Sequence, residues 1–112
     1  MLATFSTGCG KSKMAQCNEV LDQVNASTKA EKAAEITAVK SALDGMQLKD
    51  EKLAAFRKEY STYLGKVANE YASLEKNGDE SPTAHATYAK LATLGEESTK
   101  LLQGISPYCS AE

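Results

Sequence analysis

The residues able to do chemistry are few, and most sit near one end of the chain. The stretch FSTGCGKSKMAQC, Phe5 to Cys17, holds Cys9, Cys17 and the run Gly10-Lys11-Ser12, while the third cysteine, Cys109, lies near the other end. Gly10-Lys11-Ser12 matches the tail of a phosphate-binding loop. Such a loop needs an earlier glycine so that its backbone N–H groups can curl around phosphates, and it must join a buried strand to a helix. Phe5 stands at the glycine position and no segment alternates as a strand would, so a bound nucleotide is not expected. The run reads instead as a polar tether that ends in a helix cap at Ser12.

Ser6-Thr7-Gly8-Cys9 supports a different chemistry, because small residues before a cysteine resemble the bacterial lipobox, where the cysteine becomes an acylated N-terminus. Ser6 departs from the leucine usual at that place. The eight residues before Cys9 carry neither a basic start nor the full apolar stretch of an export signal. Residues 1–8 therefore read as the end of an export signal, residues 9–13 as a tether, and residues 14–112 as a single domain. Cys9 is the expected lipidation site and the lipid the expected contact with a membrane.

Other reactive groupings fail on spacing. His85 is the one histidine, and no Cys-x-x-Cys occurs for zinc, redox chemistry or covalent haem. Met14 and His85 could not share a haem iron, since they belong near opposite ends of a bundle, roughly 30 Å apart by helix rise. Carboxylate-bridged metal bundles use Glu-x-x-His, and Pro82 occupies the glutamate position before His85. No nucleophile has a recognisable base and orienting partner. No metal, cofactor or catalytic residue is expected, and the chain does not read as an enzyme. The 13 basic and 15 acidic residues give a net charge of −2 with no basic stripe, which argues against nucleic acid.

The elements that would position these residues are helical. Alanine, lysine, glutamate and leucine dominate, tryptophan is absent, and both prolines fall outside the long periodic segments. Apolar residues recur at steps of three and four, predicting an all-α, antiparallel up-down-up-down four-helix bundle with helices at about 12–26, 29–44, 50–76 and 82–105. The first has the stripe Met14, Cys17, Leu21 and Val24, and a turn is expected at Asn25-Ala26-Ser27-Thr28. Thr28 and Glu31 form a capping-box signature for the second, whose stripe is Ala33, Ile36, Val39 and Leu43, with Gly45 as its stop. The third runs through Leu53, Phe56, Tyr60, Leu64, Val67, Tyr71 and Leu74. Asn77-Gly78 breaks it, Ser81-Pro82 starts the fourth with its Ala84, Tyr88, Leu91, Gly95, Leu102 and Ile105 face, and Pro107 is expected to end that helix. No run is long and apolar enough to span a bilayer.

An even number of helices places the end of the fourth beside the start of the first, so Cys17 and Cys109 come within reach of a disulfide. The competing reading is that Cys17 is a buried free thiol. Such a bridge persists in an oxidising compartment and would leave Cys9 as the odd cysteine. MAQCNEVLDQVN near the start and SPYC near the end resemble a group of small bacterial, cyanobacterial-type helical lipoproteins. That resemblance implies export, lipidation at Cys9 and pairing of Cys17 with Cys109, on the periplasmic or lumenal face of a bacterial membrane, and it implies no activity.

The first two helices are expected to span roughly 22 to 24 Å and the last two about 36 to 40 Å. With the short pair near the termini, the distal hairpin would project beyond it and expose Val67, Tyr71, Leu74, Ala84, His85 and Tyr88 to a protein partner or membrane complex. The expected function is a tethered interaction or structural subunit. The alternative is a soluble carrier holding a small apolar ligand inside the bundle.

Overall fold

Ser12 caps the first helix, its hydroxyl accepting from the Ala15 N–H at 3.1 Å. In the computed structural model, which describes residues 12–78 and 82–110, four helices follow in chain order: α1 (Lys13–Thr28), α2 (Ala33–Asp44), α3 (Glu51–Asn77) and α4 (Pro82–Ser110). They pack as an all-α four-helix bundle, with no strand among the described residues. Residues 1–8, expected as the end of an export signal, residues 9–11 of the expected tether, Cys9 among them, and the expected Ser81 cap lie outside the described residues, while Ser12 and Lys13 of that tether cap and begin α1.

Two polar contacts orient α1. The Gln16 side chain meets the backbone of Lys49 and Asp50 just before α3, and the Ser27 hydroxyl lies 3.0 Å from the Tyr60 hydroxyl. Thus α1 runs parallel to the first half of α3. The second half carries α2 in the opposite direction: Asp44 accepts from Ser61, the Lys40 stem lies against Gly65, and the Ala33 N–H donates to Glu75 at 2.7 Å. Ion pairing of Lys66 with Glu97, and the approach of Asp50 to Tyr108, place α4 antiparallel to α3 along its full length.

The core draws Cys17, Val20 and Val24 from α1, Ile36, Val39 and Leu43 from α2, Leu53, Phe56, Tyr60, Leu64 and Val67 from α3, and Ile105 and Cys109 from α4. These are the steps of three and four that the sequence displays, and removing them from water supplies the main drive to fold. In α1 the buried face is rotated from the expected stripe. At about 100° per residue, Met14 and Leu21 fall on one flank of Cys17 and Val24, while Gln16 and Val20 fall on the other. The bundle buries the second flank, leaving Met14 exposed and Leu21 half-buried.

Helix ends also differ from expectation. Ser27 and Thr28 do not start a turn, because their hydroxyls donate back to the carbonyls of Val24 and Asn25 and so complete α1. The connection is Lys29–Lys32. Glu35 caps α2 instead of Glu31, its carboxylate accepting from the N–H groups of Glu31 and Lys32 at 2.7 and 3.0 Å. Gly45 does end α2, and Gly78, at φ 83, ends α3 in a conformation that side-chain-bearing residues rarely adopt. Pro107 does not terminate α4, which continues to Ser110. The carbonyl it leaves without a helical donor belongs to exposed Gln103, where water can serve.

Candidate functional site

The two ends of the bundle carry different chemistry. At the basal end, the first turns of α1 meet the last turns of α4, and Cys17 and Cys109 are joined by a disulfide with their Cα atoms 5.8 Å apart. Both are buried, so the even helix count delivers the pairing that the spacing anticipates. As a formed bridge, neither sulfur is a nucleophile.

A polar clamp surrounds this bridge. Lys13 donates to the Tyr108 carbonyl at 2.9 Å, and the ammonium groups of Lys13 and Lys52 lie 4.5 and 4.9 Å from the Tyr108 ring centre, a double cation–π arrangement. The Tyr108 hydroxyl donates to Asp50, which also caps α3 by accepting from the Leu53 N–H at 3.0 Å. The Tyr108 hydrogen bond, then that from Leu53, hold the Asp50 carboxyl below its ordinary value of 3.8. The same Asp50 contact raises the Tyr108 phenol above its ordinary 10.0. Beside them, buried Gln16 accepts from the N–H groups of Lys49 and Asp50 at 2.9 and 3.0 Å, satisfying two backbone donors of the segment that enters α3. Every member of the cluster is engaged in holding helix ends together.

At the distal end, α2 and α4 flank α3 but their backbones make no close approach to one another among the described residues. Here α1 has already ended. The result is an open groove of about 410 Å³ lined by Ala30, Glu31, Tyr71, Leu74, Glu75, Tyr88 and Leu91. Tyr71 and Leu74 are half-buried, and Tyr88 keeps 48% of its surface in solvent. Fully burying both tyrosines would have removed this surface, and the fold does not do so.

Of the expected distal contact residues, Tyr71, Leu74 and Tyr88 converge on the groove. Val67 and Ala84 do not, being buried at 8% and 2% exposure within the packing. His85 is exposed but lies outside the lining. The premise of a projecting tip also changes, because α2 starts level with Glu75 and covers one side of the distal hairpin. The uncovered surface is lateral, on the side where α1 stops short. Glu31, Glu75 and Ala30 complete it and were not marked by sequence pattern, since two are charged and the third is a small loop residue.

A second concavity, between Lys40, Asp44, Arg57 and Ser61, is polar. There the Ser61 hydroxyl, then Lys40, lower the Asp44 carboxyl below 3.8, and Arg57 donates to the carbonyls of Leu43 and Met46 to fix the end of α2. Among the described residues, no three His, Cys, Asp or Glu side chains gather as a metal site requires, and no helix is long and apolar enough to cross a membrane. No family model, curated protein or solved structure matches the chain.

Proposed function

We propose that this protein is a membrane-tethered, extracytoplasmic helical-bundle lipoprotein that serves as a non-catalytic interaction or structural subunit, anchored through Cys9 and presenting its distal groove to a protein partner. The observation that carries this reading is the buried Cys17–Cys109 bridge. Structural disulfides belong to oxidising compartments, and this one accounts for two of the three cysteines, setting Cys9 apart for another fate. The small residues before Cys9 supply the chemistry of that fate.

The geometry suits a tether. Ser12 starts α1 at the basal end, so an anchor at Cys9 holds that end against the bilayer. Tyr88 and Tyr108, both on α4, are separated by roughly 30 Å at 1.5 Å per residue, which directs the groove away from the surface. Tyrosine and leucine on an open face are residues that interfaces use.

Intact mass of the protein extracted from its native membranes tests the proposal. The expected species begins at Cys9, carries a diacyl or triacyl addition, and is two hydrogens lighter than its fully reduced form. An unacylated chain retaining Met1 with three free thiols would overturn the proposal.

A further inference from the structure

We infer that the distal groove receives a basic amphipathic helix from a partner protein. This rests on the proposed docking role of the distal surface and specifies what docks there. Shape points first to a helix. Along the first half of α3, α1 packs against α3 and α4; beyond Ser27, opposite Tyr60, Ala30 and Glu31 of the Lys29–Lys32 connection border the groove beside α3 and α4. The groove floor is then the side of α3 and α4 that a continued α1 would have covered. A vacancy lined by two helices and a connecting segment is filled closely by a further helix, laid in by its apolar face. At about 410 Å³ it accommodates apolar side chains from successive turns of such a helix, contacting Tyr71, Leu74 and Leu91.

Charge then selects among helices. The charged residues lining the groove are Glu31 and Glu75, and no lysine or arginine is among them. Glu31 is exposed, and Glu75 uses one carboxylate oxygen to accept the Ala33 N–H. An incoming helix with Lys or Arg flanking its apolar face would pair with these carboxylates. A helix with acidic flanks would be repelled. The same carboxylates oppose a symmetric dimer through this face, since a two-fold axis would bring the acidic rims of two copies together.

The direct test uses the full chain with its disulfide intact and two stapled helical peptides of identical apolar face, one flanked by lysine and the other by glutamate. Binding is followed by amide chemical shifts. The lysine peptide is expected to move resonances of Tyr71, Leu74, Tyr88 and Leu91, to bind several-fold more tightly than its acidic twin, and to lose that advantage at high salt. Glu31→Lys, at an exposed position, leaves Glu75 as the one acidic lining residue and should abolish the preference. Tyr88→Asp should weaken both peptides.

Equal binding of the two peptides, or shifts confined to another face, would overturn the inference. So would a concentration-dependent dimer in sedimentation that Tyr88→Asp dissolves, which would make a second copy the occupant. A photo-crosslinker at residue 88 in native membranes separates this inference from the broader reading. Crosslinks to a basic amphipathic segment support both. Crosslinks to an acidic or non-helical segment overturn the helix assignment while leaving a docking role, and the absence of any distal crosslink removes both.

Discussion

At the scale of single residues, the basal clamp ties the bundle to pH. Asp50 joins α3 to α4 by capping Leu53 and accepting from Tyr108, and both contacts favour its charged form. A folded carboxyl held below its unfolded value of 3.8 contributes stability above that value, which is lost as pH falls through the folded one. The Tyr108 phenol, raised above 10.0, acts with the opposite sense: its contribution is complete below pH 10.0 and disappears as pH rises through the folded value. Stability should therefore decline on both sides of a broad plateau. Tyr108→Phe, which keeps the ring beneath Lys13 and Lys52 but removes the hydroxyl, should move the Asp50 carboxyl titration seen by carbon NMR upward toward 3.8. An unchanged titration would show that the hydroxyl does not hold the carboxylate. Gln16 shows why such positions escape sequence reading. A polar residue between Ala15 and Cys17 reads as solvent-facing, and only the approach of Lys49 and Asp50, more than thirty positions later in the chain, makes it a buried acceptor.

At the scale of elements, periodicity reveals all four helices, and the departures occur where side chains choose among local backbone partners. Ser27 and Thr28 could cap a following helix or complete a preceding one; the position of Tyr60 favours completion. Pro107 could end α4, yet tertiary ties hold the final turn in place. Those ties are the disulfide and the Lys13 contact to the Tyr108 carbonyl. The bridge spans a sequence separation of 92, and chain-entropy reasoning assigns a loop of that size about 4 to 5 kcal/mol, less any native strain. Replacing both cysteines, Cys17→Ala with Cys109→Ala, should lower the urea midpoint by a corresponding amount. It should also expose the amides from Tyr108 onward to exchange, because proline has already removed one internal bond from that turn. A loss below about 1 kcal/mol would mean that the helix packing alone closes the basal end.

At the scale of the whole molecule, unequal helix lengths account for both the legible and the illegible parts of the candidate site. Tyr71, Leu74 and Tyr88 follow from helices three and four being longer than one and two, but length alone did not reveal that α2 would slide along the distal half while α1 remained basal. That stagger depends on contacts between residues distant in sequence, Ala33 with Glu75 and Gln16 with Asp50. It divides the bundle into unequal halves. The basal half has α1 in place, the disulfide, the polar clamp and the fully buried Val20, Leu53 and Tyr60. The distal half has the half-buried Tyr71, Leu74 and Leu91 beside an open groove. Local opening is governed by how much packed surface it exposes, so the distal half should open without the basal half. Native-state hydrogen exchange should show the amides of Phe56–Leu64 exchanging only through global unfolding, and those of Tyr71–Lys76 and Thr87–Leu91 through a cheaper opening. Equal protection along all of α3 would instead mean that the two halves open as one unit. A basic helix seated in the groove should raise distal protection selectively, because it would supply the packing that α1 gives only to the basal half.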